Sequence, residues 1–233
     1  FFQRGARETE TALGDIIADS MKWHVEHMDV DFAIQNGGGI RAPLAEGNIT
    51  KASVHEILPF DNTVVVLTLK GTDVQKLFHH IAKVSGGSGA FPQVSDGIRF
   101  SIDREARRCK SIRINGKPID LKRTYRIATN SYLAGGGDGY RIFLKAVERY
   151  DAAVLQRDVF IEYIKHLGGR IRPEIHHRIQ IEGRSKPFRS SFNTIKGNII
   201  SGSPTVEIDP TMHPMPDLST HRAGRGVIAG TGR

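Results

Sequence analysis

The amino-acid sequence predicts an α+β fold in which helices and sheets pack as layers. Stretches with the apolar spacing of helices are interspersed with β-branched stretches, and the order of the two kinds has no regular βαβ rhythm. The 233 residues are 39% hydrophobic and 25% charged, which is ordinary for a globular chain with one good core. We therefore expect one folded domain over residues 1–182, followed by a tail over 183–233.

The first half of the predicted domain contains three helices and two strands. These are a helix over 13–28, a strand over 31–34, a helix over 51–58, a strand over 63–69 and a helix over 73–84. The strand over 63–69 is β-branched on both faces, as in a buried strand. Thr72 and Gln75 have the spacing of a capping box, which places the start of the third helix.

The second half begins with strands and ends in a helix and a strand. Strands are predicted near 97–102, 110–114 and 123–128, then a helix from Tyr140, an amphipathic helix over 159–167 and a strand over 176–181. Asn115-Gly116 is a hairpin turn signal. Gly168-Gly169 is expected to end the amphipathic helix.

From Gly183 onward the chain has no apolar periodicity and contains five prolines, which predicts a disordered or loosely packed tail. Removing it after Glu182 is expected to leave stability nearly unchanged. Seven Lys/Arg and three Asp/Glu lie between 184 and 233, so half of the net charge of +8 belongs to the tail. The remaining positive charge fits phosphate binding and does not demand a nucleic-acid partner.

The sequence contains no candidate membrane span, because no stretch approaches the roughly 20 consecutive apolar residues that a spanning helix needs. The chain begins at Phe1 rather than Met, and we expect it to be a processed product or part of a longer protein. The single cysteine, Cys109, excludes an intrachain disulfide and a thiolate zinc cluster. We interpret Cys109 as a small buried hydrophobic residue.

Two glycine-rich loops are candidate ligand sites. In Asn36-Gly-Gly-Gly-Ile-Arg41 the glycines, including Gly38 and Gly39, would let the backbone approach an anion and present N–H groups, while Arg41 adds a charge-assisted fork. The alternative is a tight turn beside a solvated arginine. In the second loop, over 135–139, Asp138 would accept hydrogen bonds from ribose hydroxyls or cap the helix that starts at Tyr140.

Two aromatic residues occupy predicted loops. Phe60 lies in Leu58-Pro-Phe-Asp-Asn62 and Tyr132 lies in Asn130-Ser-Tyr-Leu-Ala134. Together their rings could hold a nucleobase between them, with each stacked ring contributing ~1–3 kcal/mol. Taken singly, an aromatic residue in such a position more often belongs to the hydrophobic core.

Four motifs in one order make the sequence recognisable. They are Asn36-Gly-Gly-Gly-Ile-Arg41, Leu58-Pro-Phe60, Gly89-Ala-Phe-Pro-Gln-Val94 and Asn130-Ser-Tyr-Leu-Ala-Gly-Gly-Gly-Asp-Gly-Tyr140. Over about residues 5–182 the chain closely resembles the C-terminal domain of the 5'-nucleotidase / UDP-sugar hydrolase family. The resemblance implies a layered α/β/β/α fold whose pocket holds a nucleoside, while a separate N-terminal metallophosphoesterase domain holds two divalent metal ions.

The resemblance also implies roles for individual residues. Asn36 and Arg41 match the contacts on the ribose and phosphate sides, and Asp138 matches the acceptor of the ribose hydroxyls. Phe60 and Tyr132 match the aromatic pair that encloses the base, although a Phe is more usual at the position of Tyr132. A further arginine of some family members corresponds to Arg7.

The metal ligands of the family's catalytic domain, Asp-x-His, Asn-His and Gly-His-x-His, do not occur in this sequence. We therefore expect no catalytic residue, no metal site and no hydrolysis by this chain alone. The resemblance implies that the whole protein hydrolyses nucleoside 5'-monophosphates in the periplasm or outside the cell. The alternatives are a 2',3'-cyclic phosphodiesterase or UDP-sugar/NAD pyrophosphatase of the same family, and a nucleotide-binding module without catalysis.

The remaining motifs favour structural roles. His24-x-x-His27 and the pairs His79-His80 and His176-His177 lack a convincing set of further ligands. The His79-His80 pair falls off the apolar stripe of its helix, so a solvated face is expected there. A GxGxxA match at 224–229 has no preceding strand, and we do not interpret it as a dinucleotide site.

Overall fold

The computed structural model describes residues 5–183 and 206–208. In this part of the chain the α-helices are α1 (Ala12–His24), α2 (Lys51–Ile57), α3 (Gly71–Ile81), α4 (Ser131–Ala134) and α5 (Gln156–His166). The strands are β1 (Phe32–Asn36), β2 (Gly47–Ile49), β3 (Thr63–Lys70), β4 (Pro92–Val94), β5 (Ile98–Asp103), β6 (Arg108–Ile114), β7 (Lys117–Pro118), β8 (Thr124–Asn130), β9 (Glu148–Leu155), β10 (Arg170–Ile171), β11 (Ile179–Glu182) and β12 (Val206–Ile208).

The central sheet has five strands in the order β4-β1-β8-β3-β9. The β1 and β8 strands are parallel, so their last residues, Asn36 and Asn130, lie at one edge of the sheet. The β3 and β4 strands are antiparallel to these neighbours, so the loops before them reach the same edge, with Val64 opposite Asn130 and Pro92 opposite Asn36. Four segments that are distant in sequence therefore meet there.

Layers cover both faces of this sheet. On one face, α1 and α5 pack through Met21 and Val159 against Ala33 of β1 and Val66 of β3. On the other face, the central strands share a core with α3 and with the four-stranded sheet β11-β5-β6-β7. That core includes Phe32, Ile34, Leu67, Leu77, Phe78, Phe100, Ile102 and Ile114. The predicted α+β class and its layered arrangement are confirmed.

Capping hydrogen bonds set the starts of α1 and α2. The Thr11 side chain accepts a bond from the Gly14 N–H, and Thr50 and Ser53 form a reciprocal capping box. The capping box predicted for α3 is wrong, because β3 runs directly into the helix and Lys70 takes the N-cap position without a side-chain bond. Thr72 already lies inside the first turn, and the helix ends at Ile81 rather than at residue 84.

Most predicted strands are present, with shifts of a few residues. Asn115 and Gly116 have φ of 49° and 75° and join β6 to β7, as the hairpin signal predicted. Tyr140 does not start an α-helix; a 3₁₀ helix over Arg141–Lys145 follows instead. The strands β2, β4, β7, β9 and β10 were not predicted from the sequence. The sequence analysis also began the last strand of the domain early, since β11 starts at Ile179.

Three residues of the predicted tail form part of a small sheet. The β12 strand lies between β10 and β2, antiparallel to the first and parallel to the second. In the described part of the chain, β2 and β10 have no other strand partner. A truncation after Glu182 would remove β12 and this pairing, which the expectation of unchanged stability did not include. The rest of the proposed tail, 184–205 and 209–233, lies outside the described residues, and the domain boundary stays a prediction.

Cys109 lies on β6 and packs, half-buried, against the large core. Burial raises the pKa of its thiol to about 12, so the thiol is protonated at neutral pH. This agrees with its interpretation as a small hydrophobic residue.

Candidate functional site

A cleft of about 470 Å³ opens at the edge of the central sheet where β1, β8, β3 and β4 meet. It is lined by Arg7, Asn36, Gly38, Gly39, Arg41, Phe60, Asn62, Gly89, Tyr132 and Asp138. All eight residues that the sequence analysis selected lie in this one cleft. Asn62 and Gly89 were missed as lining residues, although each stands inside or beside a motif that was recognised.

The two aromatic residues of the cleft expose about half of their surface. Phe60, in the loop before β3, is 49% exposed, and Tyr132, in α4, is 48% exposed. Large rings with this exposure do not belong to the hydrophobic core, which removes the alternative for both residues. Aromatic faces beside polar groups in a concave surface are typical of ligand sites.

Asp138 is held by hydrogen bonds from two sides. One carboxylate oxygen, Oδ1, accepts from the Tyr132 hydroxyl at 3.0 Å, and Oδ2 accepts from Nδ2 of Asn36 at 2.8 Å. The backbone N–H of Asp138 donates to the Tyr132 oxygen at 3.2 Å. Asp138 has a left-handed φ of 52° and caps no helix, so the capping alternative is wrong. Partial burial, together with this carboxylate, raises the pKa of Tyr132 and keeps its hydroxyl protonated.

The first glycine loop packs tightly and offers few backbone donors. The N–H of Gly37 donates to the Phe91 carbonyl and that of Gly38 to the Gly89 carbonyl, both at 2.8 Å. A Cβ on Gly37 would lie 1.8 Å from the Ala6 carbonyl oxygen, so glycine is needed for this approach. These two N–H groups are therefore occupied within the protein, while the contact of the glycine loop with an anion stays a prediction.

Arg41 and Arg7 supply the positive charge of the cleft. Arg41 is exposed and reaches the Gly38 carbonyl only at 3.4 Å. Arg7 is also exposed, and within the described residues neither arginine forms an ion pair. Their guanidinium groups are available to a phosphate or carboxylate, whose fork geometry they match.

Asp138 also rests on a histidine that was expected to be solvated. His79 is exposed as predicted, but His80 is half-buried, with its ring edge-on to Tyr140 at 4.7 Å between centroids. A Cβ on Gly139 would lie 2.9 Å from Cε1 of His80, so the ring supports this loop from behind. Burial lowers the pKa of His80, so the ring is neutral at neutral pH. No group of three or more His, Cys, Asp or Glu residues could hold a metal ion within 5–183 and 206–208.

Three buried amide side chains lie behind the cleft and were missed by the sequence analysis. They are Gln35, Asn130 and Gln156, each no more than 3% exposed. Nδ2 of Asn130 donates to Oδ1 of Asn36 at 3.0 Å and to Oε1 of Gln35 at 2.9 Å, and Nε2 of Gln156 donates to the same Gln35 oxygen at 2.6 Å. Gln35 and Asn130 stand next to or inside recognised motifs, but nothing near Gln156 in the sequence signals this contact.

A larger groove of about 630 Å³ lies on the outer face of β5 and β6. Its aromatic lining residue, Phe100, is buried, and Nη1 of Arg99 already donates to the His176 carbonyl at 2.7 Å. The groove thus lacks the exposed aromatic faces that distinguish the edge cleft.

In the described part of the chain, no helix has both the length and the apolar character needed to cross a membrane.

Residues 1–145 match the family described as 5'-nucleotidase, C-terminal domain. The chain is 36% identical over 184 residues to the trifunctional nucleotide phosphoesterase protein YfkN of Bacillus subtilis, covering 75% of this chain and 12% of that protein. It is 34% identical over 167 residues to the NAD 5'-nucleotidase of Haemophilus influenzae, covering 64% of this chain and 27% of the relative.

The crystal structure of a 5'-nucleotidase precursor from Thermus thermophilus has the same fold. It superposes with a TM-score of 0.73 at 32% identity, over 79% of this chain and 38% of that one. The chain therefore spans well under half the length of each of these proteins.

Proposed function

This chain belongs to the 5'-nucleotidase family as a C-terminal domain, and we propose that its edge cleft binds the nucleoside part of a nucleotide and thereby selects the substrate of a phosphoesterase. One observation supports this above the others: the cleft combines two half-exposed aromatic rings, a doubly bonded carboxylate and two exposed guanidinium groups that form no ion pair within the described residues. Stacking surface, hydroxyl acceptor and anion donors are the chemistry that a nucleoside 5'-monophosphate requires.

The proposed roles follow from the chemistry of each side chain. Phe60 and Tyr132 offer faces to the base, which excludes water from it on binding. Asp138 accepts hydrogen bonds from the ribose hydroxyls, and Asn36 lies beside it. Arg41, with Arg7, attracts the phosphate.

Hydrolysis is assigned to an N-terminal metallophosphoesterase domain outside these 233 residues. Two divalent metal ions in that domain would activate water and stabilise charge on the phosphoryl group. The cleft contributes binding energy and orientation, because a substrate held in one position reacts with less loss of entropy. Nucleoside 5'-monophosphate hydrolysis is the proposed reaction, and action in the periplasm or outside the cell is part of the same proposal.

The experiment compares AMP with adenosine as ligands of the full chain by titration calorimetry. Arg41→Ala should weaken AMP binding by about ten-fold or more, as expected for loss of a charge-assisted bond of ~1.5–3 kcal/mol, and should change adenosine binding little. Arg113→Ala, which removes an exposed arginine of the other groove, is the matched control. Equal losses for both ligands in Arg41→Ala would remove Arg41 from the phosphate side.

A second assay separates the binding role from catalysis. The full chain with Mn²⁺ and AMP should release no phosphate while still binding AMP. Phosphate release in a preparation shown to be free of other phosphatases would mean that the chain itself carries a catalytic site.

A further inference from the structure

A row of buried amides runs from α5 to the cleft through the central sheet. Gln156 bonds to Gln35, Gln35 and Asn130 bond to each other, and both bond to Asn36, which bonds to Asp138. Each of the four amide residues is at least nine-tenths buried. We call Gln35, Asn36, Asn130 and Gln156 the amide relay.

The direction of every bond in the amide relay follows from one backbone group. Oδ1 of Asn130 accepts the N–H of Leu133 at 2.9 Å, as the N-cap of α4. A backbone N–H can only donate, so the Nδ2 group of Asn130 must face away from α4 and meet oxygens. Oε1 of Gln35 and Oδ1 of Asn36 are those oxygens. With its oxygen occupied from behind, Asn36 presents Nδ2, a donor, to Asp138.

Asp138 then meets one fixed donor on each oxygen. Asn36 donates to Oδ2, and Tyr132 donates to Oδ1. A carboxylate oxygen accepts two hydrogen bonds, so one acceptor position is left on each of the two oxygens. Two adjacent acceptor positions match two hydroxyl groups on neighbouring carbons.

We propose that the amide relay and the Tyr132 hydroxyl are positioning groups that preset the Asp138 carboxylate for the vicinal diol of a ribose, and so make the domain select ribonucleosides over nucleosides without these hydroxyls. The inference rests on the proposed function, because it concerns the same cleft. It adds Gln35, Asn130 and Gln156, which lie outside the cleft lining, and it gives the Tyr132 hydroxyl a role separate from stacking. A preset acceptor loses less freedom on binding, which is the source of the selectivity.

The test measures the affinity of the full chain for adenosine and for 2',3'-dideoxyadenosine by calorimetry. Tyr132→Phe keeps the aromatic face and removes only the hydroxyl, at a half-exposed position where folding is not at stake. Asn130→Ser keeps a good N-cap for α4 and removes the amide NH₂ group that donates to both Gln35 and Asn36, leaving one hydroxyl hydrogen on a shorter side chain. Thr129→Val is the control, because Thr129 is equally buried and its hydroxyl bonds to the Ile34 carbonyl, outside the relay.

Tyr132→Phe and Asn130→Ser should each weaken adenosine binding about five-fold, as for loss of one net hydrogen bond, and leave dideoxyadenosine binding unchanged. The control should lower the melting temperature without changing the ratio of the two affinities. Equal changes for both ligands, or none for either, in folded Tyr132→Phe protein would overturn the proposal even if Asn130→Ser does not fold. A wild-type chain that binds neither ligand would overturn the proposed function together with the relay.

Discussion

Two clusters of polar side chains lie in the interior of this domain, and they differ in whether their groups are neutral or charged. The amide relay behind the cleft is made of neutral side chains. The second cluster, which we call the acidic cluster, comprises Glu10, Asp15, Asp19 and Arg178, with the exposed His176 at its rim, and joins α1 to the segment that leads into β11. In it, Arg178 makes two bonds to Asp19 at 2.8 and 2.9 Å, and Glu10 accepts the N–H of Ile179 at 2.7 Å.

The acidic cluster leaves bonding groups without partners, whereas the amide oxygens of Gln35, Asn36 and Asn130 in the relay all accept hydrogen bonds. Within the described residues, Glu10 Oε1, Asp15 Oδ1 and Arg178 Nε have no hydrogen-bond partner. Burial is the main cause that raises the pKa of Asp15 to about 8; Arg178 opposes it and Glu10 adds to it. Asp15 therefore carries a proton at neutral pH. Neutral amides keep the direction of their hydrogen bonds at any pH, while buried acids make the stability of the fold depend on pH.

Removing the arginine of the acidic cluster is expected to have the largest effect on stability. Arg178→Met should lower the free energy of unfolding by ~3–5 kcal/mol, because Asp19 then loses its buried partner. Adenosine affinity of the protein that remains folded should be unchanged, since Arg178 has no contact with the relay. Chemical denaturation and calorimetry on the same preparation measure both. A specific loss of adenosine binding would mean that the two clusters are coupled.

The pH dependence of the free energy of unfolding reports on the Asp15 carboxyl group. Its pKa is higher in the folded than in the unfolded chain, so the folded state holds the extra proton, and stability should fall as pH rises from about 4 to about 8. Asp15→Asn mimics the protonated side chain and should remove this part of the slope. The difference between wild-type and variant unfolding free energies, measured across that range, cancels the opposite contributions of His24 and His80, whose pKa values are lowered by burial. A difference that stays constant with pH would contradict the shift.

The smallest effect concerns the aromatic face of the cleft and distinguishes stacking from positioning. Phe60→Ala should weaken adenosine and dideoxyadenosine binding alike, by ~1–3 kcal/mol, because base stacking does not involve the sugar hydroxyls. Its melting temperature should change little, given that Phe60 is 49% exposed. Leu144→Ala is the control, since Leu144 is a more exposed apolar residue outside the cleft lining. Unchanged affinity in Phe60→Ala would exclude this residue from the site.

The residues that line the cleft could be predicted from the sequence, whereas the buried amide relay behind them could not. Short motifs rich in glycine, aromatic and charged residues have local signatures, and with Asn36 they gave eight lining residues of the cleft by type and order. The amide relay has no such signature, because Gln156 reaches Gln35 only when β9 delivers α5 to the same sheet edge, with Leu155 opposite Thr63. The capping box at Thr72 failed for a related reason: strand pairing of β3 up to Lys70 overrode a local preference.

The β12 strand has a consequence for the order in which the protein folds. Its partner β2 lies in the first quarter of the chain, and Val206 is opposite Gly47 in the parallel pair. During synthesis from the N-terminus, β2 must wait until the segment between Ile49 and Val206 has emerged before its backbone finds this partner. Contacts between such distant positions form late, because loop closure costs entropy before pairing returns it. The strand order β10-β12-β2 thus makes this small sheet a late step of folding, after the central sheet has assembled.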